Sequence, residues 1–275
     1  MKKRDNCPIC NSILNKDILY INKCSSCKLL KSKIKPAFGQ SVFGIEEVRK
    51  KNFSKIISLI VKYQKKPKIL EVGSGSGYFL DLCKKKKLKF YSIEPYKKDY
   101  KILKKKYPKV FNLSFPLKSK KKLNNKFSVI VFNDVFEHIQ NINEAISQSK
   151  YLLKKNGLLI LNLPNSDGLI YRSSRFFANF GFKSLLDRQW HKNFASPHQF
   201  FFNNSNLDTL VCKKFKFKKI FSDYLLFITK DGLKERIKST YVNFLTVNIL
   251  FYVGCLYYYL QSFISKDIIL KIYKK

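Results

Sequence analysis

Arginine is scarce in this chain. Of 55 basic residues, six are arginine (Arg4, Arg49, Arg172, Arg175, Arg188 and Arg236) and the remaining 49 are lysine. Proteins that read bases or clamp phosphates lean on the planar guanidinium fork, so the shortage argues against a dedicated nucleic-acid reader. Acid is scarce too: 18 carboxylate residues leave a net charge of +37. Lys, Asn, Ile, Phe and Tyr are abundant together, which A/T-rich codons explain in large part. The remaining bias points to anionic partners: a membrane surface, a nucleotide diphosphate or RNA. The basic opening "MKKRDNCPIC" is followed by no apolar stretch, so no secretory leader is expected. Evenly paired cysteine is also lacking. Seven cysteines, four of them in two close pairs, exclude a closed disulfide framework and favour metal in a reducing cytoplasm.

What is present begins with those pairs. Residues 7–27 read "CPICNSILNKDILYINKCSSC", so Cys7 and Cys10 are followed after thirteen residues by Cys24 and Cys27. Each pair can wrap one side of a tetrahedral ion, and four thiolates suit structural Zn²⁺ with no position left open. The spacing predicts a zinc-binding knuckle over residues 1–35 with a hairpin between the pairs. Residues 45–64 carry Val48, Phe53, Ile56, Ile57, Ile60 and Val61 at helical spacing. The period then changes. "KILEV", "FYSIE", "FSVIVF" and "LLILNL" are short apolar runs separated by helical or charged stretches, which predicts an α/β fold with a parallel sheet covered on both faces. Lysine clusters at 84–87, 104–106 and 118–122 read as solvated helix ends and loops.

The segment "KILEVGSGSGYFLDLC" (68–83) carries the chemistry. A strand ends in Glu71, then Gly73, Gly75 and Gly77 form a turn, and a helix begins. A glycine turn lets a ligand approach the backbone, because no Cβ stands in the way. Dinucleotide enzymes prefer G-x-G-x-x-G; here the spacing is G-x-G-x-G, with an acid two residues ahead of it. "LEVGSGSG" resembles, position by position, the first motif of the class I S-adenosylmethionine (SAM)-dependent methyltransferases. "YSIEPY", "NDVFEHIQN" and "YLLKKNGLLILNLPN" follow in that family's order over residues 67–165. The resemblance implies a Rossmann-like seven-stranded methyltransferase sheet with helices on both faces, over residues 45–275. It also implies SAM as cofactor, held by Glu71, Gly73, Gly75 and Gly77, with Glu94 on the ribose hydroxyls and Asn133 and Asp134 beside the adenine or methionine end. Gly157 is the expected cap of the helix before the fifth strand, and Phe79 is expected only to pack its helix.

The form "DVFEHI" and the segment "WHKNFASPHQFFFNNSNLDTLVCKKFKF" (190–217) are similar to type 11/23-like methyltransferases of ubiquinone, antibiotic-sugar and surface-polysaccharide pathways. His138 follows the "FSVIVF" strand at the C-terminal sheet edge, where open α/β sheets place ligands, and an imidazole can take a proton near neutral pH, so it is the expected general base, with Glu137 orienting it or acting beside it. His191 and His198 lie in the substrate-side segment, and Tyr171 and Trp190 are candidates to line the acceptor pocket. Asn204 or Ser205 is the expected cap of a helix from 206 to about 213, with strand six at 215–223 and an antiparallel strand seven at 267–275. The expected acceptor is a sugar, nucleotide-sugar or lipid-linked glycan of surface polysaccharide synthesis. An rRNA methyltransferase and a non-catalytic zinc-ribbon scaffold are the alternatives. Residues 241–265 contain no charge, within an expected hydrophobic helical insertion at 232–265. A strand is expected after it, so covering the active site or lying in the interface of the inner membrane face is favoured over spanning.

Overall fold

The structure, a computed structural model, describes residues 5–37, 43–118, 126–264 and 266–275. In chain order, Leu14–Ile18 (β1), Ile21–Cys24 (β2) and Leu30–Ser32 (β3) form an antiparallel meander that carries the cysteine pairs. Helix Glu46–Tyr63 (α1) leads into Lys68–Val72 (β4), Tyr78–Lys85 (α2), Lys89–Ile93 (β5), Lys97–Lys106 (α3) and Val110–Phe111 (β6). Phe127–Asn133 (β7), a 3-10 turn at Phe136–His138, Ile142–Leu152 (α4) and Leu153–Pro164 (β8) follow. Then come Leu169–Asn179 (α5), Ser184–Gln189 (α6), Phe200–Phe201 (β9), Asn204–Asp208 (α7), Lys218–Leu225 (β10), Leu233–Lys238 (α8), Phe244–Ile264 (α9) and Ile268–Lys274 (β11).

The main sheet has seven strands in the order β10-β11-β8-β7-β4-β5-β6. Five are parallel, while β11 runs antiparallel to both β8 and β10. The apolar runs are buried on both faces because successive residues point to opposite sides. Along β7, Val129 and Val131 pack with Phe53, Ile56 and Ile60 of α1 and with Phe79 of α2. Ile130 and Phe132 pack on the other face with Ile142 and Ile146 of α4. Phe79 is fully enclosed and meets Phe53 edge-on, the packing role expected of it.

Several local expectations shift. Val61 lies on the outer side of α1, 51% exposed. Gly157 is not a helix cap: α4 ends at Leu152 and the chain enters β8 directly, with left-handed Asn156 making the bend. Gly157 is still required for space, since a Cβ there would stand 2.9 Å from the Lys154 carbonyl oxygen. Asn203, rather than Asn204 or Ser205, caps α7 through a reciprocal capping box with Asn206. A wider π turn over Thr209–Lys214 continues the helix, so β10 begins at Lys218 instead of 215. Of the lysine cluster at 118–122, residues 119–122 lie outside the described residues.

The small sheet has the order β1-β2-β3-β9, so its fourth strand comes from the far end of the chain. Ile21 and Leu30 of the meander pack with Trp190, Tyr171 and Phe201. Pro8 accepts hydrogen bonds from Asn143 of α4 and from Lys214. The knuckle is thereby seated on the main sheet's flank.

Candidate active site

The glycine turn sits at the C-terminal edge of β4. Gly73, Gly75 and Gly77 all take positive φ, at 75°, 50° and 83°. Their reasons differ. A Cβ on Gly73 would strike Val135 at 2.6 Å and one on Gly77 would strike Leu103 at 2.5 Å, whereas one on Gly75 would meet nothing within 4 Å. Gly75 therefore presents bare backbone to open space. Glu94, at the end of β5, reaches under this turn: its carboxylate accepts from the Gly75 and Tyr96 N–H groups at 2.8 and 2.9 Å. Burial pushes its pKa up, and those two N–H groups oppose the rise.

Glu71 is 1% exposed. One oxygen accepts from Asn133 Nδ2 at 2.9 Å, and Asn133 Oδ1 in turn accepts from Asn162 at 2.7 Å. Oε2 of Glu71 is buried with no hydrogen-bond partner among the described residues. Burial pushes this carboxyl up to about 8, with the Asn133 bond opposing. An orphaned carboxylate oxygen beside a bare backbone bend fits a cationic nucleoside with ribose hydroxyls to donate. Asp134, left-handed at φ 52°, lies beyond the end of β7 with Arg49 at 3.9 Å.

The sequence-predicted histidines come from two places, the turn after β7 and the loop between α6 and β9, and meet. His138 ends the 3-10 turn after β7, His191 follows α6, and His198 precedes β9. Ring centroids are 4.1 Å apart for His191–His198, 4.6 Å for His138–His198 and 5.6 Å for His138–His191. His138 Nδ1 lies 3.1 Å from the Pro197 carbonyl oxygen and 3.2 Å from Ser196 Oγ. The carbonyl can only accept, so Nδ1 carries the proton and Nε2 keeps its lone pair. Burial lowers the His138 pKa to about 4, and it drives His191 and His198 well down too, so all three are neutral. Glu137 is 1% exposed, with both oxygens unpartnered among the described residues and Oε1 3.9 Å from His198 Nε2. Burial, then Asp134, raises its pKa well above the carboxylate range. A protonated Glu137 beside a neutral His198 is a close polar contact, not an ion pair.

Sequence reasoning missed Arg49, Arg188 and Arg236, which line the same cleft as Asp134, Glu137, His191 and His198. They are half of the chain's arginines. Arg236 donates to the Phe227 carbonyl oxygen at 2.8 Å; burial, then repulsion from Arg188 and Arg49, brings its pKa down to about 10. Arg188 has a buried Nη1 with no partner among the described residues. The signal was available, because an arginine placed in a lysine-rich chain marks a spot that needs a guanidinium. Tyr171 and Trp190 do not line the cleft. Both are buried with Phe201 under the small sheet, where their area serves packing.

In the knuckle, one sulfur of each of Cys7, Cys10, Cys24 and Cys27 lies within 4.8 Å of the others, and none forms a disulfide. Cys7–Cys27 and Cys10–Cys24 sulfurs are 3.5 and 3.4 Å apart. Tetrahedral Zn–S bonds set sulfurs about 3.8 Å apart. The hydrogen bond between Cys7 and Cys27 pulls the Cys7 thiol down to about 5 and pushes Cys27 up, so the pair shares one proton that a metal would displace. The donor set fits structural zinc.

A family model described as a methyltransferase domain matches residues 45–220. The chain is similar in structure to a SAM-dependent methyltransferase from Archaeoglobus fulgidus, with 16% identity over 84% of this chain and 94% of that one, at a TM-score of 0.51. It is also similar to the cyclopropane synthase MmaA2 from Mycobacterium tuberculosis, with 15% identity over 81% and 83% of the two chains, at a TM-score of 0.55. No curated protein matches. At such identities the likeness speaks for the fold. The family match itself spans well over half of the chain, over the strands that build the open glycine turn, and on that ground this protein belongs to the SAM-dependent methyltransferases.

Proposed function

We propose that this methyltransferase modifies an acceptor that carries negative charge, a nucleotide-sugar or a lipid-linked phosphoglycan of surface polysaccharide synthesis. The observation that carries the reading is the convergence of Arg49, Arg188 and Arg236 on the cleft, with Arg188 Nη1 buried and unpartnered. Buried guanidinium without a counter-charge is costly, and a phosphate or carboxylate in bidentate contact removes that cost.

Bound SAM supplies an electrophilic methyl on a sulfonium. In the proposed arrangement Gly73, Gly75 and Gly77 leave room for it. Glu94 accepts from its ribose hydroxyls, Glu71 faces its cationic end, and Asn133 and Asp134 shape the rim. The protein's remaining task is to align the acceptor and take its proton. His138, neutral with its Nε2 lone pair free, is placed to accept that proton, while Glu137, His191 and His198 wall the position where the acceptor sits.

The test is transfer of a labelled methyl group to nucleoside-diphosphate sugars, neutral sugars and RNA. Charged sugars are expected to be methylated. Arg188→Ala is expected to raise KM for them by about ten- to a hundredfold, the worth of one charge-assisted hydrogen bond, with SAM affinity unchanged. Equal use of neutral sugars, or label only in RNA, overturns the reading.

The same proposal extends to location: a cytoplasmic protein resting on the inner membrane face. Helix α9 supports it. It is 21 residues long with only 17% of its apolar window buried, and Phe244, Tyr252, Leu256 and Phe263 are 62–85% exposed. Lys230 lies over the rings of Tyr258 and Tyr259, and Lys234 over Phe251, so cations border the apolar face. Strand β11 follows at once and pairs with β8 and β10, which holds the far end of α9 at the sheet. A helix so tied suits lying in the interface rather than crossing it.

A further inference from the structure

The chain contains three histidines, and one nitrogen of each lies within 4.8 Å of the others. We propose that His138, His191 and His198 form a second metal site, separate from the cysteine knuckle, which takes a d-block dication such as Zn²⁺, Fe²⁺ or Mn²⁺ and leaves a coordination position open to the cleft.

Four features carry this. The turn after β7 and the loop between α6 and β9, distant in sequence, bring the three imidazoles together, buried or half-buried. His138 donates its Nδ1–H to the Pro197 carbonyl, the outer contact that fixes tautomer and ring direction in metal-bound histidine, and so directs Nε2 as a free lone pair. Glu137 has two buried oxygens without a hydrogen-bond partner among the described residues, and one of them, Oε1, lies 3.9 Å from His198 Nε2. A buried carboxyl group beside an imidazole is the outer contact that orients a metal-bound histidine. The positions are also held from outside: Ser32 Oγ donates to the His198 carbonyl at 2.7 Å, and Gln199 N–H donates to the Glu137 carbonyl at 2.9 Å.

Three imidazoles with one vacant position are a donor set for zinc-like ions and unsuited to Mg²⁺ or Ca²⁺, which want oxygen. Nitrogens on a metal at 2.0–2.1 Å sit about 3.4 Å apart, so an ion would draw nitrogens now within 4.8 Å of one another somewhat closer. Arg49, Arg188 and Arg236 oppose a cation here; Asp134, 3.9 Å from Arg49, offsets part of this, and an anion on the arginines would offset it further. The ion is therefore expected to bind more tightly when inorganic phosphate is present. An ion there would polarise a coordinated hydroxyl. The assignment stands on the donor set and does not require the acceptor proposed above.

The test is metal counting and cobalt titration on the purified full chain. Zinc-loaded protein is expected to take a second equivalent of Co²⁺, with ligand-field bands free of thiolate charge transfer. His191→Ala and His198→Ala should each drop the count from two to one while retaining the zinc, and Glu137→Gln should weaken Co²⁺ binding by about ten- to a hundredfold. Retained zinc and an unchanged circular-dichroism spectrum show that a variant has folded; where an alanine variant does not fold, the glutamine variant at the same position is used. One equivalent only in the native chain at millimolar Co²⁺, or a second equivalent that survives in the His191/His198 double variant, overturns the proposal. Methyl-transfer activity is not read, so the outcome is independent of acceptor identity.

Discussion

At the residue scale, the carboxylates under the glycine turn set the pH response. Glu71 titrates near 8 in the folded protein against an ordinary value of 4.5. The folded state therefore holds a proton that the unfolded chain loses. This contribution to stability is full below pH 4.5 and fades as pH climbs toward 8. A cationic cofactor prefers the carboxylate, so its binding should expel a proton within that window. SAM affinity is expected to increase from pH 6 to 8 and then level off, with calorimetry in two buffers of different ionisation heat revealing the released proton. Glu71→Gln should flatten the profile; a native profile already flat would show that Glu71 does not face the cofactor's charge. His138→Ala separates binding from turnover in the other direction: SAM affinity should hold within about twofold while methyl transfer drops by roughly a hundredfold or more. Unchanged transfer would remove His138 from the reaction. Glu71, Glu94, the glycines and the three histidines were readable because each is a chemically distinctive residue at a strand end or in a short motif. The arginines were marked by their rarity among lysines, but their meeting was not readable, since Arg49, Arg188 and Arg236 lie on elements far apart in sequence and only the fold gathers them.

At the scale of elements, the four apolar runs that become β4, β5, β7 and β8 were legible because a central parallel strand is apolar on both faces and has sharp ends. What could not be read was anything set by partners elsewhere. The π turn after α7 displaced β10, and β9 is only two residues long, visible as a strand only because β3 lies against it. That pairing matters for the site. Ser32 and Gln199 stitch β3, the His198 segment and Glu137 together. Stripping zinc from the knuckle should therefore do more than loosen the N-terminal region. Cys24→Ser, or chelation, is expected to abolish most turnover while the main sheet still folds and binds SAM, with zinc content and SAM calorimetry measured on the same sample. Full turnover in zinc-free protein would show that the knuckle does not support the histidines.

At the scale of the whole molecule, the charge and the exposed helix act together. A net charge of +37 with an apolar face on α9 predicts binding to anionic vesicles and little to neutral ones. Flotation should recover the protein with vesicles containing phosphatidylglycerol at low salt. Leu256→Glu, at a position 62% exposed, should reduce that recovery severalfold without changing SAM affinity. Equal flotation of native and variant protein would assign binding to lysine charge alone.

The small sheet also has a history within each round of synthesis. Its meander leaves the ribosome early, yet β9 is encoded about 170 residues later. At 5–20 residues per second, that interval lasts on the order of ten to thirty seconds. Throughout it β3 offers an unpaired edge, the kind of surface that recruits strands from neighbouring chains. Lys28 and Lys33 flank β3 in sequence, and their repulsion between nascent copies would keep that edge vacant until its own distant strand arrives.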